Sequence, residues 1–301
     1  MLDLNIKPSD RPLATYERDV YSQFGQDGVL EYVLSKYKPL SHLVCFEVGG
    51  WDGIHYSNTC NLAVNHSSRV CFAEADPRKY KALLHNHSNL IASGRVFATN
   101  AYVDNSTNSV ASILSRHGLD ELDFISIDVD GLDYYLFERL NVDPAFVLIE
   151  FNHSIHLDVS YVQPDDPSVS VGSSARSIYQ LASEKGYSLI HSFHTDLLFV
   201  KTSLAIELDL AILPISAVAL TGAIYAWTGY DGSLHAITNL RGIQEGIICP
   251  WVGKLTKNKD SLQPLPSFLI FFPDSASASL AKFFGRLRLL VRKVYLLFFI
   301  N

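Results

Sequence analysis

Acidic and amide side chains end two apolar runs of the sequence. Asp128 and Asp130 close the first run, and Glu150 and Asn152 close the second. Side chains alternate along a strand, so the members of each pair share a face. Four such groups could hold a divalent cation such as Mg²⁺. They could equally supply a general base, with Asp128 as the candidate, and hydrogen bonds to a substrate. Solvated turn residues are the plain alternative, and all three interpretations stay open.

An acid and two glycines end an earlier apolar run, in the order Glu47, Gly49 and Gly53. Glycine lets the backbone turn sharply and approach a ligand closely. A helix that begins soon afterwards would direct its free N–H groups at that ligand. The spacing differs from the G-x-G-x-x-G pattern of dinucleotide sites. The segment therefore predicts either a ligand-binding turn of another kind or an ordinary tight turn.

Glu74 ends the next apolar run, directly before Ala75, Asp76 and Pro77. An acid at the end of a second strand is well placed to accept hydrogen bonds from ribose hydroxyls. Asp76 before a proline is typical of a helix start, with the aspartate as the cap. We therefore predict that Glu74 binds a ribose and that Asp76 caps a helix.

A histidine follows the fifth apolar run at position 153. Imidazole titrates near neutral pH, so His153 is a second candidate general base beside Asp128. A surface histidine without a chemical role is the alternative interpretation.

Strand-like and helix-like runs alternate from residue 27 to residue 201. Near-continuous apolar strands between amphipathic helices predict a doubly wound α/β domain, with a parallel sheet covered on both faces. Ligands of such domains bind beyond the carboxyl ends of the strands, where the acids lie. The polar stretch 152–173 is long for a connection and predicts a lid or substrate loop. Strands are predicted at 43–48, 69–75, 95–103, 123–129, 145–151, 187–191 and 197–201, and helices at 27–37, 57–65, 77–89, 134–140 and 174–185.

Composition limits the class of protein. Of the 301 residues 48% are hydrophobic and 18% are charged, which excludes wholesale disorder. The net charge of −7 predicts no nucleic-acid partner. The four cysteines form no C-x-x-C pair, and the first 18 residues do not resemble a signal peptide, so we expect a reduced, cytoplasmic location. The charge-free stretch 210–230 could span a membrane, but its proline and polar residues favour buried core.

The C-terminal tail, residues 267–301, differs in charge from the rest of the chain. After Asp274 there are five bases and no acid. From residue 279 the bases and the apolar side chains separate onto opposite faces of a helical wheel. Such a basic amphipathic helix could lie on an anionic surface, here the inner membrane surface. It could equally pack on the acidic body or across a homodimer interface, and both interpretations stay open.

Five segments of the chain resemble the FkbM-like branch of the class I S-adenosylmethionine-dependent methyltransferases. They run in family order across residues 21–201, about 60% of the chain. The segments are YSQFGQDG at 21–28, FEVGGWDG at 46–53, EAD at 74–76, DFISIDVDG at 123–131 and VLIEFN at 147–152.

The resemblance implies a Rossmann-like, doubly wound seven-stranded sheet with the last strand antiparallel. It implies that Glu74 binds the ribose of S-adenosylmethionine and that Asp128 lies near the methyl donor and the substrate. Magnesium-dependent relatives of this fold place acids and an asparagine at the same two strand ends, which keeps Mg²⁺ open as a second cofactor. The cofactor-binding residues implied are Gln23, Asp27, Glu47, Gly49, Gly53, Glu74 and Asp104.

The activity implied is methyl transfer to a hydroxyl group of a sugar, a glycan or a hydroxylated small metabolite. One alternative is a non-catalytic module of the same fold that binds a membrane or a partner. Another is an NAD-dependent oxidoreductase, which the glycine spacing disfavours. The expected divisions of the chain are an N-terminal segment at 1–20, the methyltransferase domain at 21–202, a C-terminal extension at 203–266 and the tail at 267–301.

Overall fold

Seven strands form one sheet in the computed structural model, which describes residues 11–104, 106–218, 224–228 and 234–238. Their order across the sheet is β3-β2-β1-β4-β5-β7-β6. The first five strands pair in parallel, and β7 pairs antiparallel with both of its neighbours. The seven-stranded sheet with one antiparallel strand is therefore confirmed. The strands are β1 (Val44–Val48), β2 (Arg69–Glu74), β3 (Val96–Asn100), β4 (Phe124–Ile127), β5 (Phe146–Glu150), β6 (Tyr187–Ser192) and β7 (Asp196–Lys201).

Helices cover both faces of this sheet, which explains why its strands are apolar on both sides. One core contains Phe72 and Phe146 of the strands with side chains of the first three helices. The opposite core contains Phe46 and Ile125 with side chains of the fifth, sixth and seventh helices. The helices are α1 (Gln26–Tyr37), α2 (Cys60–Asn65), α3 (Pro77–Asn86), α4 (Ser88–Ala92), α5 (Val110–Arg116), α6 (Asp133–Glu138), α7 (Ala175–Glu184) and α8 (Thr202–Glu207).

The chain order reverses between β1 and β4, the two strands at the centre of the sheet. These strands are adjacent and in register, with Val48 beside Ile127. The turn after β1 and the turn after β4 therefore leave the sheet side by side. In an open α/β sheet this reversal is where ligands bind. The predicted glycine turn and the predicted base Asp128 thus share one edge of the sheet.

Several boundaries differ from the sequence prediction for local physical reasons. Helix α2 begins at Cys60, after Ser57 and Thr59 have turned their hydroxyls towards Glu47 of β1. Helix α5 was not predicted, because its seven residues give too short a hydrophobic period. Its start is a local feature, since the Ser109 side chain caps it by accepting from the Ser112 N–H.

The hydrophobic core continues beyond the predicted domain boundary at residue 202. Leu210, Leu213 and Val218 are buried in it, so the first part of the charge-free stretch 210–230 is core, as predicted. Among the residues that the structure describes, no helix is both long enough and apolar enough to cross a membrane. Cys45, Cys60 and Cys71 are buried free thiols.

The chain divides into two compact units, residues 1–220 and residues 221–301. In the second unit, β8 (Ile224–Thr228) and β9 (Leu234–Thr238) form an antiparallel hairpin. The predicted amphipathic helix from residue 279, and the boundary at 266, lie outside the described residues.

Candidate active site

A cleft of about 380 Å³ opens at the carboxyl ends of the central strands. It is bounded by the turns after β1, β2, β3 and β4, by the end of β5, and by the long loop that follows β5. This is the location predicted from the order of the strands. The cleft is lined by seven of the residues singled out in the sequence: Gln23, Glu47, Gly49, Glu74, Asp128, Asp130 and Glu150.

Glu47, the fourth residue of β1, is buried and fixes the start of α2. Its Oε2 accepts hydrogen bonds from the Ser57 hydroxyl at 2.8 Å and from the N–H and hydroxyl of Thr59, the former at 3.0 Å. Its Oε1 accepts from the Asn58 N–H at 3.2 Å. Burial nevertheless dominates and raises the pKa of Glu47 to about 7. Glu47 therefore shapes the floor of the cleft through the segment that it anchors.

Glu74 is the last residue of β2, and both of its carboxylate oxygens accept hydrogen bonds from backbone amides. Oε2 accepts from the Trp51 N–H at 2.8 Å, and Oε1 accepts from the Asp76 N–H at 2.7 Å. A carboxylate oxygen can accept more than one hydrogen bond, so these contacts orient the group without exhausting it. The predicted cap is also confirmed, because the Asp76 side chain accepts from the Arg78 N–H at the start of α3. Glu74 is thus a rigid acceptor of the kind that binds a pair of hydroxyls.

Three carboxylates, Asp128, Asp133 and Glu150, lie together at the ends of β4 and β5. Each offers an oxygen within 4.8 Å of the others. Burial, followed by the repulsion of Asp196 and Asp133, raises the pKa of Asp128 well above its usual range. Burial and the charge of Asp128 raise the pKa of Glu150 to about 10. The cluster therefore binds a proton or another cation more readily than separate carboxylates would.

Asp128 and Glu150 are the two chemically available members of this cluster. Both side chains are half-buried and line the cleft. Asp133 differs, because its two oxygens accept from the Val129 and Gly131 N–H groups, each at 2.9 Å. Its position in the first turn of α6 could have been inferred from the sequence, where it follows the β4 acids closely. The structure therefore adds Asp133 to the group predicted at these strand ends.

The predicted metal ligands are only partly brought together. Asp128 and Glu150 meet, with Asp133 as the third acid. Asp130 lies on the exposed turn after β4, with a left-handed φ of 57°. Asn152 is turned towards the long loop, where its Nδ2 donates to the Val171 carbonyl and its Oδ1 accepts from the Ser154 N–H. Three clustered carboxylates fit a hard cation such as Mg²⁺, although not with the set of ligands predicted from the sequence.

Gly53 and Asp104 do not line the main cleft. Gly53 lies at a tight turn with φ of 75°, and its carbonyl accepts from His87 Nε2 at 2.7 Å. The carboxylate of Asp104 accepts from the Ser106 and Asn108 N–H groups, at 2.7 and 2.9 Å, and so organises the loop before α5. Both residues shape the backbone around the cleft.

The two predicted bases are separated by the fold. Asp128 lines the cleft, whereas His153 does not. The ring of His153 instead lies 4.7 Å from that of His194, which in turn packs 4.6 Å from Phe24. Asp128 is therefore the better placed of the two for proton transfer in this cleft.

The long loop after β5 forms one wall of the cleft, through Pro167, Val169 and Ser170. Gln163, which sequence reasoning missed, is fully buried and organises this loop. Its Oε1 accepts from the N–H of Gly172 at 2.8 Å, and its Nε2 donates to the carbonyl of Val169 at 2.9 Å. This position agrees with the substrate loop predicted from its length.

Three exposed aromatic residues at the mouth of the cleft were also missed. Trp51, Tyr56 and Tyr102 are 46%, 55% and 53% exposed, and all three line the cleft. Trp51 and Tyr56 have left-handed φ values of 47° and 57°, which are uncommon for bulky side chains. The ammonium group of Lys79 lies 4.7 Å from the centre of the Trp51 ring. The turn after β1 thus presents aromatic surface to whatever enters.

No protein-family model matches this sequence, and no curated protein matches it. Solved structures of similar fold include M. capricolum TrmK in complex with its natural cofactor product S-adenosyl-homocysteine. TrmK is 11% identical, the match covers 59% of this chain and 73% of that chain, and the TM-score is 0.36. Aeropyrum pernix fibrillarin, with natively bound S-adenosyl-L-methionine, is 15% identical over 56% and 72% of the two chains, with a TM-score of 0.37. The C-terminal domain of precorrin-6Y C5,15-methyltransferase from Rhodobacter capsulatus is 17% identical over 46% and 68%, with a TM-score of 0.29.

Proposed function

We propose that this chain is an S-adenosylmethionine-dependent methyltransferase of the FkbM-like branch. We further propose that it transfers the methyl group to a hydroxyl of a sugar, a glycan or another hydroxylated small metabolite. The observation that carries the proposal is the cleft itself. At the reversal of strand order, an oriented acceptor, Glu74, and two available carboxylates, Asp128 and Glu150, line one cavity.

The cofactor half of the cleft is assigned from the geometry of β1 and β2. Glu74 would accept hydrogen bonds from the ribose hydroxyls, as its orientation by two backbone amides allows. The backbone at Gly49 would lie against the methionine part of the cofactor, and Gln23, which also lines the cleft, would contact the cofactor. The positive sulfonium would be favoured by the nearby acids, Asp128 among them.

Methyl transfer needs alignment more than covalent help from the protein. The acceptor oxygen attacks the methyl carbon in line with the breaking carbon–sulfur bond, and S-adenosylhomocysteine leaves as the neutral product. The hydroxyl proton passes to Asp128, whose raised pKa makes it a stronger base than an ordinary aspartate when it is deprotonated. His153, the second base predicted from the sequence, would need to move to reach the cleft.

Mg²⁺ remains an alternative route to the same activation. Asp128, Asp133 and Glu150 would hold the ion, and the ion would lower the pKa of a bound hydroxyl. In this case the carboxylates would act as ligands and Asp128 would not be the base.

The charge of the cleft supports a small acceptor over a nucleic acid. Five acids line it, namely Glu47, Glu74, Asp128, Asp130 and Glu150, and its basic side chains among the described residues are Lys79 and His55. Such a surface offers few cations to a polyanion, and nucleic-acid affinity depends on contacts between cations and phosphates. This supports the proposal that the partner is a small molecule or a glycan.

A thermal-shift comparison tests the proposed cofactor against the oxidoreductase alternative. S-adenosylhomocysteine at saturating concentration should raise the Tm of the full chain by several degrees, because a ligand that binds only the folded state stabilises it. NAD should leave the Tm unchanged. The reverse pattern would assign the cleft to a dinucleotide. If neither ligand changes the Tm, the non-catalytic alternative is favoured.

A further inference from the structure

The segment that carries Gln23 to the cleft is held by hydrogen bonds on both sides of that residue. We name residues 17–25, which precede α1, the N-terminal strap. Gln23 is exposed on the strap and lines the cleft. Asp27, in the first turn of α1, is buried and does not line the cleft. The family resemblance implied that both residues bind the cofactor, whereas only Gln23 lines the cleft.

One carboxylate oxygen of Asp27 accepts several hydrogen bonds from the backbone of the strap. Its Oδ2 accepts from three successive N–H groups, those of Val20 at 2.8 Å, Tyr21 at 2.7 Å and Ser22 at 2.8 Å. The Ser22 hydroxyl donates to the same oxygen at 2.9 Å. Hydrogen bonds to an ionised acceptor are shorter and stronger than neutral ones. Three consecutive amides on one buried oxygen therefore fix the backbone immediately before Gln23.

A second contact fixes the strap on the other side of Gln23. The Phe24 N–H donates to Gln26 Oε1 at 2.8 Å, and Gln26 Nε2 donates to Asp196 Oδ2 at 2.9 Å. Asp196 is one of the acids whose charge acts on Asp128. The strap is thus anchored both to α1 and to the wall of the acidic cluster, with Gln23 between the two anchors.

We propose that Asp27 is a positioning residue, which holds Gln23 at the cofactor through the backbone of residues 20–22 and does not itself contact the cofactor. This inference rests on the proposed function. An amide side chain on a free segment would lose conformational entropy on each binding event. In a strap that is already ordered, this conformational entropy is lost on folding and not on binding, so the cofactor binds more tightly.

The test is a double-mutant cycle on S-adenosylhomocysteine affinity, measured by calorimetry with the full chain. Gln23→Ala and Asp27→Asn should each weaken binding by about tenfold, the size of one lost polar contact. The double variant should bind S-adenosylhomocysteine no more weakly than whichever single variant binds it more weakly, because Asp27 acts through Gln23. Multiplicative losses in the double variant would overturn the proposal, as would an unchanged affinity in Asp27→Asn.

Asp123→Asn is the matched structural control. Asp123 is also a buried aspartate that accepts from a backbone amide, that of Val44 at 2.8 Å, but it lies just before β4, at the opposite edge of the sheet from the cleft. This variant should lower the Tm and leave the affinity within about twofold of wild type. An equal loss of affinity in this control would show that Asp27→Asn acts through general destabilisation and would overturn the proposal.

Ser22→Ala keeps the cycle decisive if Asp27→Asn does not fold. It removes only the hydroxyl donor to Asp27 and should weaken binding by a smaller factor, again without adding to the effect of Gln23→Ala. If the losses of binding free energy in Ser22→Ala and Gln23→Ala add up in the double variant, the proposed positioning through the strap is contradicted. Wild-type protein that binds no S-adenosylhomocysteine would instead reject the proposed function, so the two failures are distinguishable.

Discussion

The backbone of Gly49 passes directly against the carbonyl oxygen of Asp128. A Cβ atom at position 49 would overlap that oxygen, and Gly49 has a left-handed φ of 83°. The turn after β1 and the turn after β4 are therefore interlocked at the point where the strand order reverses. This contact joins the cofactor half of the cleft to the acid that we propose as the base.

Gly49→Ala should damage both halves of the site. The new methyl group must displace the Asp128 carbonyl or the Gly49 turn, since both partners are backbone. We expect a loss of stability larger than the roughly 1–2 kcal/mol of a left-handed non-glycine residue alone, and a loss of S-adenosylhomocysteine affinity. Chemical denaturation and calorimetry measure the two effects.

Gly118→Ala is the control for the left-handed backbone. Gly118 has a φ of 67°, and a Cβ atom there would meet nothing within 4 Å. Gly118→Ala should lose the stability expected of an alanine in a left-handed conformation but keep the wild-type affinity for S-adenosylhomocysteine. Equal behaviour of the two variants would show that the contact between residues 49 and 128 is unimportant.

The acidic cluster should make the ligand-free protein less stable as the pH rises. Folded Glu150 keeps its proton up to a pKa of about 10, whereas its ordinary value is 4.5. Between these values the folded state binds more protons than the unfolded state, so the free energy of unfolding falls with increasing pH. Glu150→Gln removes this dependence and should raise the Tm at pH 8 more than at pH 5, as measured by differential scanning calorimetry.

Glu184→Gln, at an exposed position in α7, should change the Tm equally at both pH values. If Glu150→Gln shifted the Tm by the same amount at pH 5 and pH 8, the buried cluster would not be protonated as we infer.

Asp128→Asn separates the two proposed routes of activation. If Asp128 is the base, kcat with an accepted substrate should fall by about 100-fold or more. The affinity for S-adenosylhomocysteine should change little, and wild-type activity should survive EDTA. Activity that EDTA abolishes and Mg²⁺ restores would assign Asp128, Asp133 and Glu150 to a metal site.

The basic tail yields a separate prediction about location. The proposed amphipathic helix at 279–301 should bind vesicles that contain anionic lipid, because its five bases are attracted to the negative surface. Sedimentation of the full chain with anionic and with neutral vesicles measures this, and deletion of 279–301 should abolish the difference. Vesicle binding that survives the deletion would reject the membrane interpretation. If neither form binds, the tail is assigned to packing or to a dimer.

The sheet and the location of the cleft could be predicted because both depend on local patterns. Each predicted strand is present, and β1, β2, β4 and β5 end at, or directly before, the acid or glycine that the sequence indicated. Glu47, Glu74 and Asp128 reach one cavity because the carboxyl ends of parallel strands share an edge of the sheet. The antiparallel last strand was implied by the family resemblance and not by periodicity.

The role of each side chain within the cleft could not be predicted, because it depends on the direction in which the side chain turns. Asp27 and Asn152 carry the expected chemistry but use it on nearby backbone amides and carbonyls. Asp133 turns towards the cluster because its own helix begins there. Gln163 lies in a polar loop, and nothing in its sequence context distinguishes a buried organiser from a solvated glutamine.

The most direct test of the proposed function is calorimetric binding of S-adenosylmethionine to the full chain and to Glu74→Ala. Wild type should bind one equivalent, and the variant should bind at least tenfold more weakly, because two ribose hydrogen bonds to an oriented carboxylate are lost. Glu184→Ala, an acid removed outside the cleft, should bind as wild type does. Folded wild-type protein that shows no binding, or a Glu74→Ala variant that binds as tightly as wild type, would contradict the assignment of this cleft.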